Sequence, residues 1–261
     1  MNILRLCGAV LLFAGALAWS TVSVQATPVL QAQDTFTYSN GSIAGQSGGS
    51  GWSGAWINPY SQSPLAVSGG HLVYDGSSTI EAAGRALNTR FSAATASQVY
   101  ILFDVQFTTQ SGGGTPNLRL LDTTSGNAIT GGLGNNGNGA NYGIMGANLA
   151  AGANSAVSLA TAANILFEID YVNNTSSLWV GSSAWDVSSL PTSGANATLA
   201  FAPQFDRLDL YVRGLNSFDN LSIYATPVPE PVNAAVLFGL AMLGLTMFQR
   251  RSRFWTRSKK A

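Results

Sequence analysis

The sequence is short of the side chains that carry most enzymatic chemistry. Its 261 residues include one cysteine, one histidine and only 9% charged residues. Cys7 falls in the first apolar run, so the remainder has neither a disulfide nor a thiol nucleophile, and its stability must come from packing. A single imidazole, His71, excludes any site that needs two and disfavours structural zinc. Beside a strand it reads as a surface residue rather than a ligand or base. No Gly-x-Ser-x-Gly elbow with a partnered histidine is present, so serine catalysis lacks its base. The glycine-rich spacings over 131–139 lack the lysine and the following helix of a phosphate loop, and read as turns. No cofactor is implied.

Charge is also unevenly distributed. Twelve basic and twelve acidic residues balance formally, but Arg5 lies near the amino terminus and six cations lie after residue 249. Residues 27–226 hold Arg85, Arg90, Arg119, Arg207 and Arg213, with no lysine, against eleven acids (all but Glu230), a net of −6. Phosphate binding needs clustered cations, so nucleic acid is not a partner, and an anionic polymer is a poor one.

What is present at the carboxyl end is a tripartite tail. Val228, Pro229, Glu230 and Pro231 precede an apolar run from Val232 to Phe248, and a basic terminus with Arg250, Arg251, Arg253, Arg257, Lys259 and Lys260 follows. A run of that length is near the lower limit for crossing a bilayer as one helix, and the cations would hold its end on the cytoplasmic side. The order resembles the PEP-CTERM sorting domain of Gram-negative bacteria, over Val228 to Arg253. The resemblance implies an inner-membrane anchor recognised, and cut near the Pro-Glu-Pro, by an exosortase-type enzyme. The product would lie at the cell surface or in an extracellular polysaccharide matrix. The amino terminus agrees with export: Arg5, an apolar Cys7–Trp19 segment and Val24-Gln25-Ala26 fit a signal peptide cleaved by signal peptidase after Ala26. An amino-terminal anchor is the alternative, with a rather short apolar core. The chain therefore divides into a signal peptide at 1–26, one body domain at 27–226 and a sorting signal at 227–261.

The body alternates short apolar runs with Gly, Asn, Ser and Thr, a pattern for strands and turns. Ten strands are predicted: Leu72–Tyr74, Arg85–Leu87, Val99–Phe107, Asn117–Asp122, Tyr142–Met145, Ile165–Val172, Ser177–Val180, Thr198–Phe201, Leu208–Arg213 and Phe218–Tyr224. Together they predict an all-β antiparallel sandwich. In one of them Ile165, Phe167, Ile169 and Tyr171 share a face and Leu166, Glu168 and Asp170 the other, as in a strand with one buried side. Asn173-Asn174-Thr175-Ser176 then turns the chain into a hairpin. Gly45–Gly54 and Gly131–Gly143 read as mobile or functional loops. The second carries Asn135, Asn136, Asn138 and Asn141 without the carboxylates calcium usually recruits. Ala147–Ala163 reads as a short helix or another loop.

The segments Asp34–Tyr38, Gly51–Trp56, Val99–Phe107, Ile165–Val180 and Phe218–Ile223 resemble concanavalin-like, laminin-G-like jelly rolls. That resemblance implies paired first and last strands and a carbohydrate- or protein-binding function. Glu168-Ile169-Asp170-Tyr171-Val172-Asn173 resembles the Glu-x-Asp-x-x-Glu strand of jelly-roll glycoside hydrolases, in which one carboxylate attacks and another protonates the leaving oxygen. Asn173 replaces the last carboxylate, and an amide cannot be the general acid. Two solvent-facing acids on a half-buried strand are the plainer reading. Trp52, Trp56 and Tyr60 are the ligand-binding candidates: flat rings that either stack on sugar faces or plug the end of the core. The expectation is a non-enzymatic carbohydrate- or matrix-binding body. A structural matrix protein without a specific ligand and a degenerate glycosidase are the alternatives.

Overall fold

The computed structural model describes residues 26–76, 78, 80–107, 117–134, 141–150, 152–228 and 242–243. Sixteen strands follow in chain order: β1 Val29–Asp34, β2 Gly41–Ser42, β3 Ser63–Pro64, β4 Ala66–Ser68, β5 His71–Val73, β6 Glu81–Phe91, β7 Ala96–Phe107 and β8 Asn117–Asp122. After these come β9 Ala128–Gly134, β10 Asn141–Met145, β11 Ala153–Ser158, β12 Ala163–Asp170, β13 Thr175–Gly181, β14 Ala197–Leu199, β15 Phe205–Val212 and β16 Leu215–Pro227.

They form two sheets. The first runs β14-β13-β12-β7-β16-β5-β4-β2, with β1 also paired to β16; the second runs β11-β10-β9-β8-β15-β6-β3. All pairings are antiparallel except the short β3–β6 contact. The long strands alternate with the two-residue period of a pleated chain. Val99, Ile101, Phe103, Val105 and Phe107 of β7 meet Leu208, Leu210 and Val212 of β15 in one core. At roughly 25 cal/mol per Å² this apolar burial is the main stabilising term of a chain without disulfides. The paired first and last strands are as expected: Val29 lies opposite Ala225 and Asp34 opposite Leu221.

The core runs continuously into one end of the sandwich through aromatic rings. Phe103 stacks on Phe218 at 4.9 Å, Phe218 meets Phe36 at 5.7 Å, Phe36 meets Trp56 at 5.6 Å, and Trp56 meets Trp52 at 5.9 Å. The Gly45–Gly54 segment is a packed strap rather than a mobile loop. Ser50 exchanges backbone bonds with Gln33, each of 3.0 Å, and the amide of Asn88 donates to Gly51 O. At Gly51 φ is +81°, and a Cβ would fall inside the Gln31 carbonyl oxygen, so only glycine lets the strap lie on the β1 backbone. Residues 131–134 and 141–143 belong to β9 and β10. The expected asparagines 135, 136 and 138 lie outside the described residues, while Asn141 donates to Ser155 O at 3.0 Å. The 147–163 stretch contains one short 3-10 turn and then β11 and the start of β12.

Among the described residues no helix is long and apolar enough to cross a membrane. The expected span at 232–248, apart from Met242 and Leu243, lies outside the described residues. So do the signal peptide up to residue 25, Pro229, Glu230, Pro231, Arg250, Arg251 and Arg253.

Candidate functional site

The three expected ligand-binding aromatics are not brought together on a surface. Trp56 is 1% exposed and Trp52 8%; both plug the end of the core, the second of the two readings. Their indole N–H groups are used internally. Trp52 Nε1 donates to Gln33 O and Trp56 Nε1 to Asp34 Oδ2, both at 2.9 Å. Asp34 Oδ2 also accepts from Tyr38 Oη and Arg85 Nη1, each at 2.7 Å, while the Arg85 guanidinium lies 5.1 Å from the Trp52 ring centre. Arg85 shares the inward face of β6 with Ala83 and Leu87, so its charge must be met inside the fold, and Asp34 meets it. Tyr60 goes to the opposite side of the second sheet, edge-on to Tyr211 at 5.2 Å and beside Arg119. A sugar platform needs exposed ring faces, and two of these three rings have none.

The accessible site lies instead on the outer face of the first sheet. Register places Glu168 opposite Tyr100, Asp170 opposite Gln98, and Gln98 opposite Thr226 of β16. Inward neighbours belong to the core, so these five point outward. That face is not simply solvated, as a strand with one buried side would require. Tyr100, Leu102, Leu166 and Trp179 form a second buried apolar cluster, covered by Trp185, Val187, Leu190 and Ala195 of a segment between β13 and β14. The covering segment is tied down by Trp185 Nε1 to Asn164 O at 2.9 Å and by Trp179 Nε1 to Ser193 O at 3.1 Å. Asp186 caps its short turn by accepting from Ser188 N at 2.8 Å. Beside it opens a cleft of about 560 Å³, lined by residues 26–28, Gln98, Tyr100, Glu168, Asp170, Thr226 and residues 187–192 of the segment.

The two carboxylates in this cleft differ. Asp170 Oδ1 accepts from Val172 N and Asn173 N at 2.8 and 2.9 Å, and Oδ2 from Asn173 Nδ2 at 2.7 Å. It is a turn cap for the β12–β13 hairpin, and Asn173, standing where the resemblance would require an acid, is its partner. Glu168 accepts from Gln98 Nε2 at 3.1 Å, and Gln98 Oε1 in turn accepts from Tyr100 Oη at 3.0 Å. Burial and, behind it, the Asp170 charge push the Glu168 carboxyl up to about 7. Burial and then the Glu168 charge push the Tyr100 phenol upward as well. Thr226, 4% exposed, sits beside the Tyr100 phenol. Nothing in the local sequence marks Gln98, Thr226 or the covering segment. Trp185, Val187 and Leu190, apolar residues in a turn-rich stretch, are the only signal that this stretch packs on something.

His71 is exposed at the far end of the same sheet, its Nδ1 3.1 Å from Asp219 Oδ2. Among the described residues no three His, Cys, Asp or Glu gather to hold a metal ion.

The described residues thus define an all-β, two-sheet sandwich with a polar cleft on one outer face. No family model matches the chain, and no curated protein matches it. Among solved structures it is similar to a sialidase, at 10% identity over 66% of this chain and 16% of that chain, with a TM-score of 0.38. It is also similar to a Bacillus licheniformis β-glucanase, at 11% identity over 73% of this chain and 96% of that chain, with a TM-score of 0.35. The chain spans about a sixth of the length of that sialidase.

Proposed function

We propose that the body is a carbohydrate-binding module that holds its ligand in the cleft beside Glu168 and does not cleave it. The observation that carries this reading is the unequal carboxylate pair. Most enzymatic hydrolysis of glycosidic bonds uses two carboxyl groups that flank the bond and are free to act on it. Asp170 has both oxygens occupied by the hairpin turn, and Asn173 occupies the third position with an amide. What remains is one carboxyl, an amide, a phenol and the hydroxyls of Ser188, Ser189 and Thr192, groups suited to hydroxyl recognition. Binding of the purified chain to immobilised polysaccharides should weaken on Gln98→Ala, with no reducing sugar released. Undiminished binding in that variant sinks the site.

A hydrolase is the second reading, favoured by one observation: a carboxyl held near 7 is in the protonation state of a general acid at neutral pH. Sugar release that disappears in Glu168→Gln would establish it.

The delivery of this body is part of the same proposal. The signal-like amino terminus and the Val228–Pro231 motif, apolar run and basic tail support export and exosortase-dependent sorting to the cell surface or matrix. Anchoring before processing would run through 232–248.

A further inference from the structure

We infer that the end of the sandwich from which the tail emerges is a face that rests on a lipid bilayer, with Val29, Val172 and Val228 set among the headgroups while the chain is anchored. This rests on the proposal that 232–248 anchors the chain, and adds to it a contact made by the body itself. Its first support is placement. Among the described residues of the body, five large apolar side chains are exposed: Val29, Leu30, Ile57, Val172 and Val228. Ile57 pairs with Gly84, well back along β6 from Phe91, which ends here. The other four gather by register. Val29 lies opposite Ala225, Asp170 opposite Gln98, and Gln98 opposite Thr226. Val172, two residues past Asp170, is therefore level with Val228, two past Thr226, with only β7 between their strands. At roughly 4.8 Å per strand the two stand about 10 Å apart, and β1 adds Val29 and Leu30 on the far side of β16. Val172 is 74% exposed at the tip of a turn, where a polar residue would be the ordinary choice.

The second support is that the polar groups of this end are already spent. In the turn from β6 to β7, Ala93 and Ala94 are exposed, while Ser92 Oγ accepts from Ala94 N and Thr95 Oγ1 donates to Arg90 O. In the turn after β12, the Asn173 amide donates to Asp170, and Asn174 Oδ1 accepts from Ala202 N. Neither the 92–95 turn nor the 171–174 turn carries a charge. Asp170, the carboxylate next to them, is capped by three donors. Charge returns at the rim, on the second sheet, where Arg90 is paired with Asp122 and Asp206 accepts from Thr123 N at 2.8 Å. An apolar patch with a polar rim is the pattern of an interaction surface.

The third support is the length of the tether, which selects the bilayer as the occupant. Only Pro229, Glu230 and Pro231 separate Val228 from the first residue of the apolar run, so even a fully extended chain carries Val228 at most about 14 Å from Val232. The headgroup layer fills roughly 5–8 Å of that distance, which holds Val228 within about 9 Å of the lipid surface. A tether this short keeps the effective concentration of membrane at the patch high, so a small apolar area suffices. The long strands then stand up from the bilayer, and the cleft opens sideways just above it.

The test uses the full-length chain in phosphatidylcholine vesicles. A nitroxide is placed on Val172→Cys, Val228→Cys or Ile57→Cys, each with Cys7→Ser. Resistance of the bound chain to carbonate extraction reports the anchor. Collisions with a water-soluble nickel chelate should be lost at positions 172 and 228 and retained at 57, whereas collisions with lipid-soluble oxygen should rise at the first two. Adding Val29→Asp and Val228→Asp to the chain labelled at 172 should restore the chelate's access there, with carbonate resistance and melting temperature unchanged. A carbonate-resistant chain that leaves 172 as open to the chelate as 57 overturns the inference and leaves the anchor standing. Shielding at 172 that disappears on diluting the protein in lipid, with spin–spin broadening before dilution, assigns the face to a second copy and overturns it too. Release of the chain by carbonate removes the anchor and the bilayer face together.

Discussion

At the scale of single residues, the buried Asp34–Arg85 pair governs the end of the sandwich. Asp34 accepts from Arg85, Trp56, Tyr38 and the amide of Phe36, so its carboxylate ties together β1, the strap and β6. Removing one partner of a buried ion pair leaves an uncompensated charge, at a cost of roughly 3–5 kcal/mol. Asp34→Asn should therefore destabilise by about that amount in urea unfolding. Trp56→Ala should cost a similar roughly 3–5 kcal/mol from lost packing. Because the two share a hydrogen bond, the double variant should cost less than the sum of the singles. Additive losses would show that the indole N–H contributes nothing.

Glu168 gives the residue scale a pH signature. Its folded carboxyl holds a proton up to about 7, whereas the unfolded one releases it near 4.5. The folded state therefore binds more protons between those values, and stability falls as pH rises from 4.5 to 7, then levels. Solvent in the cleft screens the group, so the slope stays below roughly 1.4 kcal/mol per pH unit. Asp209 and Asp219, also raised first of all by burial, add slopes of the same sign that begin at lower pH. Asp122 works the other way: Arg90 and the Thr124 hydroxyl hold it below the usual carboxylate range, so it stabilises above pH about 4 and that contribution is lost on acidification. Melting temperatures across pH 4 to 8 should show Glu168→Gln with a shallower decline between 5 and 7. Parallel curves for the variant and wild type would refute the raised Glu168.

At the scale of elements, the covering segment between β13 and β14 is what makes a cleft out of a flat sheet. Trp185 is its anchor, half-buried on the Leu102–Leu166–Trp179 cluster. Trp185→Ala should cost roughly 2 kcal/mol, less than a fully buried tryptophan. It should also open residues 182–196 to subtilisin and weaken ligand binding; unchanged proteolysis there would mean that the anchor lies elsewhere. All ten predicted strands have counterparts; Val99–Phe107 and Ile165–Val172 carry β-branched and aromatic residues at a two-residue period, whereas Arg85–Leu87 and Asn117–Asp122 rest on leucines bounded by polar residues. The sequence hides β9 and β11, since Ala-Ile-Thr-Gly-Gly-Leu-Gly and Ala-Asn-Ser-Ala-Val-Ser bring little apolar content. Gly132 sits where a Cβ would collide with Leu118 O, a demand visible only once β8 lies beside it. The site shows the same division. Glu168 and Asp170 stand out in sequence, but their difference depends on Gln98 and on the cap from Val172 and Asn173, set by register and turn geometry.

At the scale of the whole molecule, the pairing of β1 with β16 fixes where the two ends of the body emerge. Val29 faces Ala225, and residues 26–28 and Thr226 border the same cleft, so both ends of the body emerge beside the proposed ligand. Any segment joined after Pro227 would hold the cleft close to its attachment point. If the carboxyl-terminal tail is a sorting signal, removing it should not disturb the body, because β16 already completes its pairing with β1 and β7 by Pro227. Mature protein recovered from the cell surface should then lack Ala234–Ala261 by mass spectrometry, with its melting temperature unchanged from the uncut form. Replacing Pro229, Glu230 and Pro231 with alanine should leave a membrane-bound, uncut chain that still binds glycan after detergent extraction. Surface protein that retains Ala234–Ala261 would eliminate cleavage while leaving a simple anchor in place. Loss of glycan binding in the uncut form would instead show that the tail occludes the cleft beside which it emerges.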